Sequence, residues 1–413
     1  MVSAVQKPST PTPLAVPAAR GACPFDPPPA YEQAREERAL TRVRLWDGSS
    51  CWMATRHADI RAILRDGRFS ADSTRPGFPF LSAGRQALAA DRPTFIRMDD
   101  PDHARLRKML TADFMIRKVA ALRPAVRALA DDLLDRLTAR PQRTADLVAE
   151  FALPLPSVVI CLLLGVPYSE HEFFQRCSST MLRTDATPQE VHSAQSELLA
   201  FLAGLAAAKR SEPDDGIISR LVARNALDDD EIASMGRLLL VAGHETTANM
   251  TSLSVLTLLR DPRQAERLRQ AARQDEAGDP AALDTAVEEL LRYLTVVQSG
   301  LARIAVEDVE VGGTRVRAGE GVLCMLGAGN RDEDVFPGSD RLDLERPGAR
   351  RHLAFGFGVH QCLGQPLARL ELRVALPAVL DRLPDLRLAV PFEELRFRHD
   401  MAVYGLHELP VAW

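Results

Sequence analysis

Hydrophobic residues recur at helical spacing through most of the chain. From about residue 100 to residue 300, Leu and Ala return every three or four positions, as in RPAVRALADDLLDRL at 123–137 and QSELLAFLAGLAAA at 195–208. The same spacing returns in QPLARLELRVALPAVLDRL at 365–383. These segments predict long amphipathic helices around a core of Leu, Ala and Val.

Shorter segments show the alternation of β-strands. RIAVEDVEVGGTRVRAGEGVLC at 303–324 alternates β-branched and polar residues, and Gly312-Gly313 is a hairpin turn signal. A strand-like run precedes a helix within residues 49–66, and residues 386–413 predict a closing hairpin. The pattern as a whole predicts a mainly α protein with a small β region.

Pro-rich and irregular segments lie near the start of the chain. Residues 1–30 are rich in Pro, Ser, Ala and Thr, so we expect a flexible N-terminal lead-in there and a single domain over 31–413. Residues 74–95 predict a long loop of the kind that is often functional. The apolar run at 157–167 is about half of the ~20 residues that span a bilayer, so it predicts a buried core helix.

Composition excludes some partners. With 51 basic and 56 acidic residues the net charge is -5, which gives no overall basic field to draw the protein onto nucleic acid. The six cysteines show no framework spacing, and no charged stretch followed by an apolar run marks the N-terminus. We therefore expect a protein of the reducing cytoplasm, with neither nucleic acid nor membrane as partner.

The segment HLAFGFGVHQCLG at 352–364 surrounds one cysteine with glycines and aromatic residues. It is not a dinucleotide fingerprint, because Gln361 stands where the third glycine would be, and the nearest cysteine is the distant Cys324. Placed before a helix, Cys362 meets N–H groups that favour its thiolate, as a nucleophile with His360 as base or as an iron ligand. Both roles remain open on this spacing.

Further residues of the segment suit a haem iron. Gly356 and Gly358 let the backbone approach a flat partner closely, and Phe355 can shield the sulfur from water. The segment resembles the haem-binding loop of the cytochrome P-450 superfamily, Phe-Gly-x-Gly-x-His/Arg-x-Cys-x-Gly. The matching residues are Phe355, Gly356, Gly358, His360, Cys362 and Gly364.

A second motif is EELLRY, in which Glu289 and Arg292 lie one helical turn apart and can pair. Such pairs are mostly solvated surface contacts. The resemblance instead implies a buried structural triad, completed by Arg346 shortly before the cysteine loop.

The third motif, LLLVAGHETTANM at 238–250, places a glycine and polar residues inside an apolar helix. The glycine alone costs roughly 1 kcal/mol relative to alanine. A zinc protease would need a second histidine at the fourth position after His244, and Ala248 is there.

The resemblance gives this helix its role. It implies that Ala242 and Gly243 leave room over the haem for dioxygen, and that Glu245 and Thr246 are the catalytic acid and alcohol that bring protons to it. Residues 150–167 also resemble the fungal nitric oxide reductase branch. That branch lacks the acid at the position of Glu245, which favours oxygen chemistry.

Basic residues match the anchors of the two haem carboxylates. His103 and Arg107, four apart on one predicted helix face, suit an anion together. Arg303 and His360 complete the set that the resemblance implies.

The resemblance extends from about residue 35 to the C-terminus and is strongest to soluble bacterial monooxygenases of actinomycete type. It implies the helical triangular-prism fold, haem b, dioxygen, and electrons from NAD(P)H through a ferredoxin reductase and a ferredoxin. We expect a monomer whose ferredoxin dock contains Lys108, Arg350, Arg351 and Arg369.

Substrate-lining segments are expected at 74–95, 296–301 and 401–403, with Val296, Val297, Met401 and Ala402 facing the pocket. We expect flexibility at Gly77, Gly84 and Gly300, and no cluster of charge except Arg75, Arg85 and Arg92. These segments are mostly apolar, so we predict hydroxylation or epoxidation of a largely apolar natural product or xenobiotic.

Alternative functions remain. Within haem enzymes they are a nitric oxide reductase and a peroxide-using enzyme, and from another class a non-catalytic helical scaffold or haem sensor. The remaining histidines and cysteines have no partner at metal spacing and predict packing or surface roles.

Overall fold

The computed structural model of this chain describes residues 14–90 and 94–413. Its α-helices are α1 Pro29–Glu37, α2 His57–Arg65, α3 Ala83–Ala90, α4 Asp102–Thr111, α5 Ile116–Ala120, α6 Arg123–Thr138, α7 Pro154–Leu164, α8 His171–Leu182, α9 Pro188–Ser211, α10 Ile217–Arg224, α11 Asp229–Arg260, α12 Pro262–Glu276, α13 Ala281–Leu294, α14 Leu326–Gly329 and α15 Gln365–Arg382. Its strands are β1 Leu14–Ala15, β2 Leu40–Arg44, β3 Ser50–Ala54, β4 Phe69–Ser70, β5 Thr144–Asp146, β6 Leu301–Ala305, β7 Val309–Val311, β8 Thr314–Val316, β9 Gly321–Cys324, β10 Arg387–Leu388 and β11 Pro410–Ala412.

Helix α11 runs through the centre of the helical part. It begins with a capping box, in which the Asp228 side chain accepts from the N–H of Glu231 and the Glu231 side chain accepts in return. Its C-terminal half is buried on nearly every side, as expected for a helix enclosed by other helices. Its neighbours include α7, α9 and α15, so both the predicted oxygen-side motif and the helix after Cys362 belong to one core.

The sheets lie beside this helical body. The largest has the strand order β1-β2-β3-β9-β6-β4, in which β6 pairs antiparallel with both β9 and β4 and carries Arg303. Strands β7 and β8 form a hairpin, and β10, β11 and β5 form a small antiparallel sheet. A mainly α fold with a small β region is therefore confirmed.

Several local predictions are confirmed as well. Gly312 and Gly313 both have positive φ and link β7 to β8. The apolar run beginning at Ser157 belongs to α7, which is largely buried, and no helix of the described residues is long and apolar enough to cross a bilayer. The closing hairpin is present as the antiparallel pair β10 and β11.

The predicted loop at 74–95 was wrong in part, because α3 occupies residues 83–90 of it. Helix α3 packs on α9, and this contact explains how so short an Ala-rich segment holds a helix. At Gly84 a Cβ would come within 2.8 Å of the Ala186 carbonyl oxygen, so this glycine serves close packing rather than flexibility. Arg92, one of the charges predicted for this segment, falls outside the described residues.

The predicted lead-in over residues 1–30 falls partly on residues 1–13, which are also outside the described part. Residues 14–30 differ from that expectation, because Leu14–Ala15 pairs in parallel with β2. Val16 and Phe25 are buried, and the Ala18 N–H donates to the Tyr31 hydroxyl at 3.1 Å. Apolar side chains inside the Pro-rich segment thus attach it to the body of the protein.

Candidate active site

A cavity of about 290 Å³ lies between α11 and α15 and reaches the cysteine loop. Its walls are largely apolar. Of the residues predicted to hold a cofactor or act on its substrate, it is lined by Arg107, Ala242, Gly243, Thr246, Val296, Val297, Phe355, Gly356, His360, Cys362 and Gly364. Residues from four distant parts of the chain therefore meet around one space.

The cysteine loop is held by its own backbone. The Cys362 N–H donates to the Phe355 carbonyl oxygen at 2.9 Å, and Gly364 is the N-cap residue of α15. Gly356 has a φ of 70° and lines the cavity, as a close approach to a flat ligand requires. Gly358 has a different reason, because its Cβ would lie 2.3 Å from the Leu64 carbonyl oxygen. It allows the loop to pack on α2 rather than on a ligand.

The thiol of Cys362 is exposed to the cavity. Burial from bulk water raises its pKa, while the N–H groups of Gly364 and Gln365 and the Arg107 guanidinium act in the opposite direction. The expected N–H groups are thus present and favour the thiolate, while burial opposes it. Coordination of a cation would supply the charge that favours the thiolate.

Helix α11 forms the opposite wall. Ala242 and Thr246 lie one turn apart, and the Thr246 hydroxyl donates to the Ala242 carbonyl oxygen at 2.8 Å. A Cβ on Gly243 would lie 2.7 Å from Ile160, so the missing side chain of this glycine allows α11 and α7 to approach. Ala242 and Gly243 both line this space, and Gly243 also serves helix packing.

The Glu245 carboxylate is turned away from this wall. It is buried, and its Oε2 accepts from Arg398 Nη1 at 2.6 Å and from Asn249 Nδ2 at 3.3 Å. The structure thus does not join the carboxylate to the Thr246 hydroxyl, although the two residues are adjacent. Sequence reasoning missed Arg398, since nothing in the local spacing connects it with a glutamate 153 positions away.

The four predicted carboxylate anchors converge on one end of the site. The His103 and His360 rings have centroids 4.1 Å apart, and Arg107 Nη2 donates to the Gln361 carbonyl oxygen at 2.6 Å. Burial, then Arg303, His103 and Arg107, lower the pKa of His360 to about 3. Within the described residues, His103 Nε2 and His360 Nδ1 are buried without a hydrogen-bond partner. Two orphaned ring nitrogens beside two guanidinium groups fit a ligand with carboxylates at this end.

The predicted triad is closed. Arg292 donates to both oxygens of Glu289, from Nε at 2.7 Å and from Nη2 at 2.9 Å, and Arg346 Nε donates to Glu289 Oε1 at 3.0 Å. All three residues are buried. Backbone carbonyl oxygens accept the remaining N–H groups of both arginines, including those of Asn330 and Pro337.

A second cavity of about 270 Å³ shares Ala242 and Thr246 with the first. Val403 and Gly300 line it. The predicted pocket residues Met401 and Ala402 do not, because Met401 forms a β-bridge with Arg183 and the Ala402 N–H donates to the Leu182 carbonyl oxygen. The terminal turn thus contributes the residue after the two that were expected.

The other two predicted flexible glycines also serve close packing. A Cβ on Gly300 would lie 2.7 Å from the Cys324 carbonyl oxygen, and one on Gly77 would lie 2.4 Å from that of Gly319. Both have positive φ.

Glu371 in α15 was also missed. It is buried, lines the first cavity, and its Oε2 has no partner within the described residues. Burial raises its pKa well above the usual range. Its position four residues from both Leu367 and Ala375, on the buried stripe of the helix, is a signal that sequence analysis could have used.

The predicted ferredoxin dock is only partly available. Arg369 is bound to Glu288, with its Nε at 2.5 Å from one carboxylate oxygen and its Nη2 at 2.9 Å from the other. Burial alone would raise the pKa of Glu288, but hydrogen bonds from His352 and Arg369 lower this pKa to about 2. Lys108, Arg350 and Arg351 are all exposed, but Arg350 pairs with Asp284 at 3.5 Å and Arg351 donates to the Val335 carbonyl oxygen at 2.6 Å.

Comparison with known proteins agrees with this geometry. A family model described as Cytochrome P450 matches residues 186–384. Cytochrome P450-SU2 of Streptomyces griseolus is 61% identical over 413 residues, all of both chains. Pentalenic acid synthase of Streptomyces avermitilis is 46% identical over 409 residues, 98% of each chain. The mycinamicin VIII C21 methyl hydroxylase MycCI of Micromonospora griseorubida, solved with mycinamicin VIII, is 38% identical with a TM-score of 0.89, over 97% of this chain and 100% of that one.

The chain belongs to the cytochrome P450 family, and it is a monooxygenase whose family uses haem and dioxygen. The triangular-prism fold that the resemblance implied is thereby confirmed. The residues present fit haem: one cysteine faces a largely apolar cavity, and basic groups with unsatisfied nitrogens stand at one end. A non-catalytic scaffold or sensor no longer needs to be considered.

Proposed function

We propose that this monooxygenase hydroxylates or epoxidises a largely apolar organic compound, a natural product or a xenobiotic. The observation that carries the proposal is the pair of largely apolar cavities that share Ala242 and Thr246, the first of which is also lined by Cys362. MycCI is named as a hydroxylase and was solved with mycinamicin VIII, which supports the same substrate class here.

Cys362 would hold the iron of the haem, and His103, Arg107, Arg303 and His360 would hold its carboxylates. When bound, haem supplies the activation of dioxygen, to which a thiolate ligand contributes electron density. The protein would position the haem and exclude water from the site. The loop hydrogen bond from Cys362 to Phe355 fixes the sulfur, and Ala242 leaves space on the opposite wall.

Thr246 and Glu245 would deliver protons to the reaction side of the cavity. The Thr246 hydroxyl lines both cavities and is held by the Ala242 carbonyl oxygen, from which a rotation about χ1 can release it. Glu245 would take part after leaving Arg398, since its carboxylate is held there at 2.6 Å. Arg398 is therefore a positioning residue that holds the carboxylate out of the cavity.

Electrons would come from NAD(P)H through a ferredoxin reductase and a ferredoxin. The exposed Lys108 remains suited to an acidic partner. Arg350 is exposed as well but pairs with Asp284, and Arg369 serves as an internal ion pair. The six cysteines are unpaired, which suits a cytoplasmic protein. We expect a monomer and a single domain over residues 31–413.

The test of the proton role uses two threonines of the same helix. Both hydroxyls donate to the carbonyl oxygen four residues earlier, Thr246 at 2.8 Å and Thr257 at 2.7 Å, but Thr257 does not line either cavity. Thr246→Ala should retain haem yet lose about tenfold or more in product per electron pair, with hydrogen peroxide formed instead. Thr257→Ala should leave this ratio unchanged. Equal ratios in both variants would refute the role of Thr246.

The same purified protein tests the two alternatives within haem enzymes. A monooxygenase should form product only when dioxygen and reduced ferredoxin are both present. A nitric oxide reductase should turn over without dioxygen, and a peroxide-using enzyme should turn over without reduced ferredoxin. The carbon monoxide difference spectrum of the reduced protein should show thiolate-ligated haem, and Cys362→His should abolish that spectrum. Retention of the spectrum in Cys362→His would remove Cys362 as the ligand.

A further inference from the structure

The second cavity contains more positive charge than its apolar walls lead one to expect. Arg85 of α3, Arg97 in the segment before α4, and Arg237 of α11 all line it. Around them stand apolar side chains such as Phe78, Leu88 and Val403. Arg237 donates to Gln195, whereas the guanidinium groups of Arg85 and Arg97 form no hydrogen bond or ion pair with any residue in 14–90 or 94–413.

The guanidinium groups of Arg85 and Arg97 are energetically unfavourable in this cavity. Burial lowers the pKa of Arg85, and burial together with Arg85 and Arg303 lowers the pKa of Arg97 to about 9. A guanidinium taken out of water needs an anion or several hydrogen-bond acceptors to offset its desolvation. The described residues supply neither, apart from the ring of Phe78 at 5.2 Å from Arg97.

A neighbouring arginine, Arg75, provides a comparison with an ordinary surface charge. Arg75 belongs to the same stretch of chain but is 46% exposed, and it pairs with Asp72 at 3.6 Å and with Asp99 at 3.9 Å. Arg85 differs from Arg75 in its surroundings and in its partners. It faces the cavity, and no carboxylate of the described residues pairs with it. Arg85 is half-buried, so part of its surface meets solvent or the open cavity, but no described carboxylate balances its charge.

Arg97 and Arg85 stand in different relations to the haem site. Arg97 interacts electrostatically with Arg303, one of the carboxylate anchors, so the haem carboxylates can neutralise it. Arg85 lies on α3 and does not line the cavity that contains Cys362, and burial rather than any of the four anchors lowers its pKa. Its counter-ion must therefore enter with the ligand of the second cavity.

We propose that the substrate carries an acidic group, a carboxylate or a comparable oxyanion, which is bound by the Arg85 guanidinium. This inference rests on the proposed function and narrows its substrate class to amphiphilic acids. The apolar body of the molecule lies along Phe78 and Leu88 and reaches Ala242 and Thr246, which both cavities share. Oxidation consequently falls on a carbon remote from the acidic group.

The test compares an acid with its uncharged ester. The purified holoenzyme is titrated with dodecanoate and with methyl dodecanoate, and the dissociation constant is taken from the shift of the haem absorption band. Dodecanoate should bind about 10- to 100-fold more tightly than the ester, the range of one charge-assisted hydrogen-bonded pair. Equal affinities, or a band that neither dodecanoate nor hexadecanoate shifts, would overturn the proposal.

Variants locate the effect. Arg85→Gln should abolish the preference for the acid and leave the affinity for the ester unchanged, and Arg85→Lys should retain part of the preference because it keeps the charge. Arg75→Gln is the matched control and should bind both compounds as the unaltered protein does. A parallel loss of both affinities in Arg85→Gln would instead make Arg85 a structural residue.

The carbon monoxide difference spectrum separates this inference from the proposed function. A thiolate-type spectrum without any acid preference would refute the acidic substrate alone. Absence of that spectrum in the unaltered protein would refute the haem-thiolate assignment of the site itself.

Discussion

The protein contains two buried clusters of basic residues that differ in how their charge is balanced. In the first, Glu289 accepts from Arg292 and Arg346, and nearby carbonyl oxygens accept the other N–H groups. In the second, Arg107 and Arg303 stand beside His103 and His360, whose Nε2 and Nδ1 atoms lack partners within the described residues. The first cluster is complete without a ligand, and the second is not.

This difference separates scaffold from binding site. A buried charge network with every partner present resists change but has nothing to offer an incoming molecule. A network with unsatisfied donors stores a desolvation cost that an anion can offset on binding. The same reasoning distinguishes Arg75, paired and exposed, from Arg85 in the second cavity.

The largest effect is expected from breaking the complete cluster. Glu289→Gln leaves two buried guanidinium groups without their anion, which should cost about 3–5 kcal/mol of unfolding free energy. Urea unfolding of the purified variant, or loss of soluble protein where it does not fold, measures this. Arg396→Ala is the control, because its pair with Glu408 is exposed and should contribute less than about 1 kcal/mol. Equal stability of the two variants would contradict the comparison.

A smaller effect with a different readout is expected from the incomplete cluster. Arg303→Gln removes a charged donor to the haem carboxylates, so haem should transfer to an apo-globin about tenfold faster or more. The unfolding free energy of the haem-free protein should not fall, because mutual repulsion among the cations decreases. Arg42→Gln, at an exposed pair with Glu320 in the same sheet, should change neither quantity. A fall in apoprotein stability for Arg303→Gln would place Arg303 with the scaffold.

The smallest effect is expected at Glu371, which belongs to neither cluster. Its pKa is raised in the folded protein by burial, so the folded state holds the proton more tightly and stability falls as the pH rises above about 4.3. Glu371→Gln removes this fall. The variant and the unaltered holoenzyme should therefore match near pH 4, and the variant should be the more stable at pH 8, by more than the ~0.5 kcal/mol scatter of surface substitutions. Parallel pH profiles from thermal melting would show that Glu371 is satisfied in solution.

Sequence reasoning succeeded where a signal was contained in one short segment. The resemblance of 352–364 to a family motif indicated Cys362 as the haem ligand, and that of EELLRY indicated two of the three triad residues. Helical periodicity located α7, α11 and α15, since a buried stripe repeats every three to four residues whatever it packs against. It was less successful for α3, whose formation depends on the neighbouring α9.

Glycines show the limit most directly. Gly243 and Gly358 both belong to motifs of the site, and sequence alone assigned both to the ligand. A Cβ on Gly243 would face Ile160 and one on Gly358 the Leu64 carbonyl oxygen, although Gly243 also lines the cavity. The direction in which a Cβ would project depends on which elements lie alongside, and spacing within a motif does not contain that direction.

By itself, the sequence determined the helical framework through local spacing, and its resemblance to a known family indicated the haem-type cysteine loop and the residues that meet around it. Only the tertiary structure decided the partner of each charge. It brought Arg398 to Glu245 from 153 positions away, committed Arg369 to Glu288, and left Arg85 facing an apolar cavity without a carboxylate within the described residues. Electrostatic and hydrogen-bond energies depend on distances of a few ångströms between segments far apart in the chain, and folding alone sets those distances.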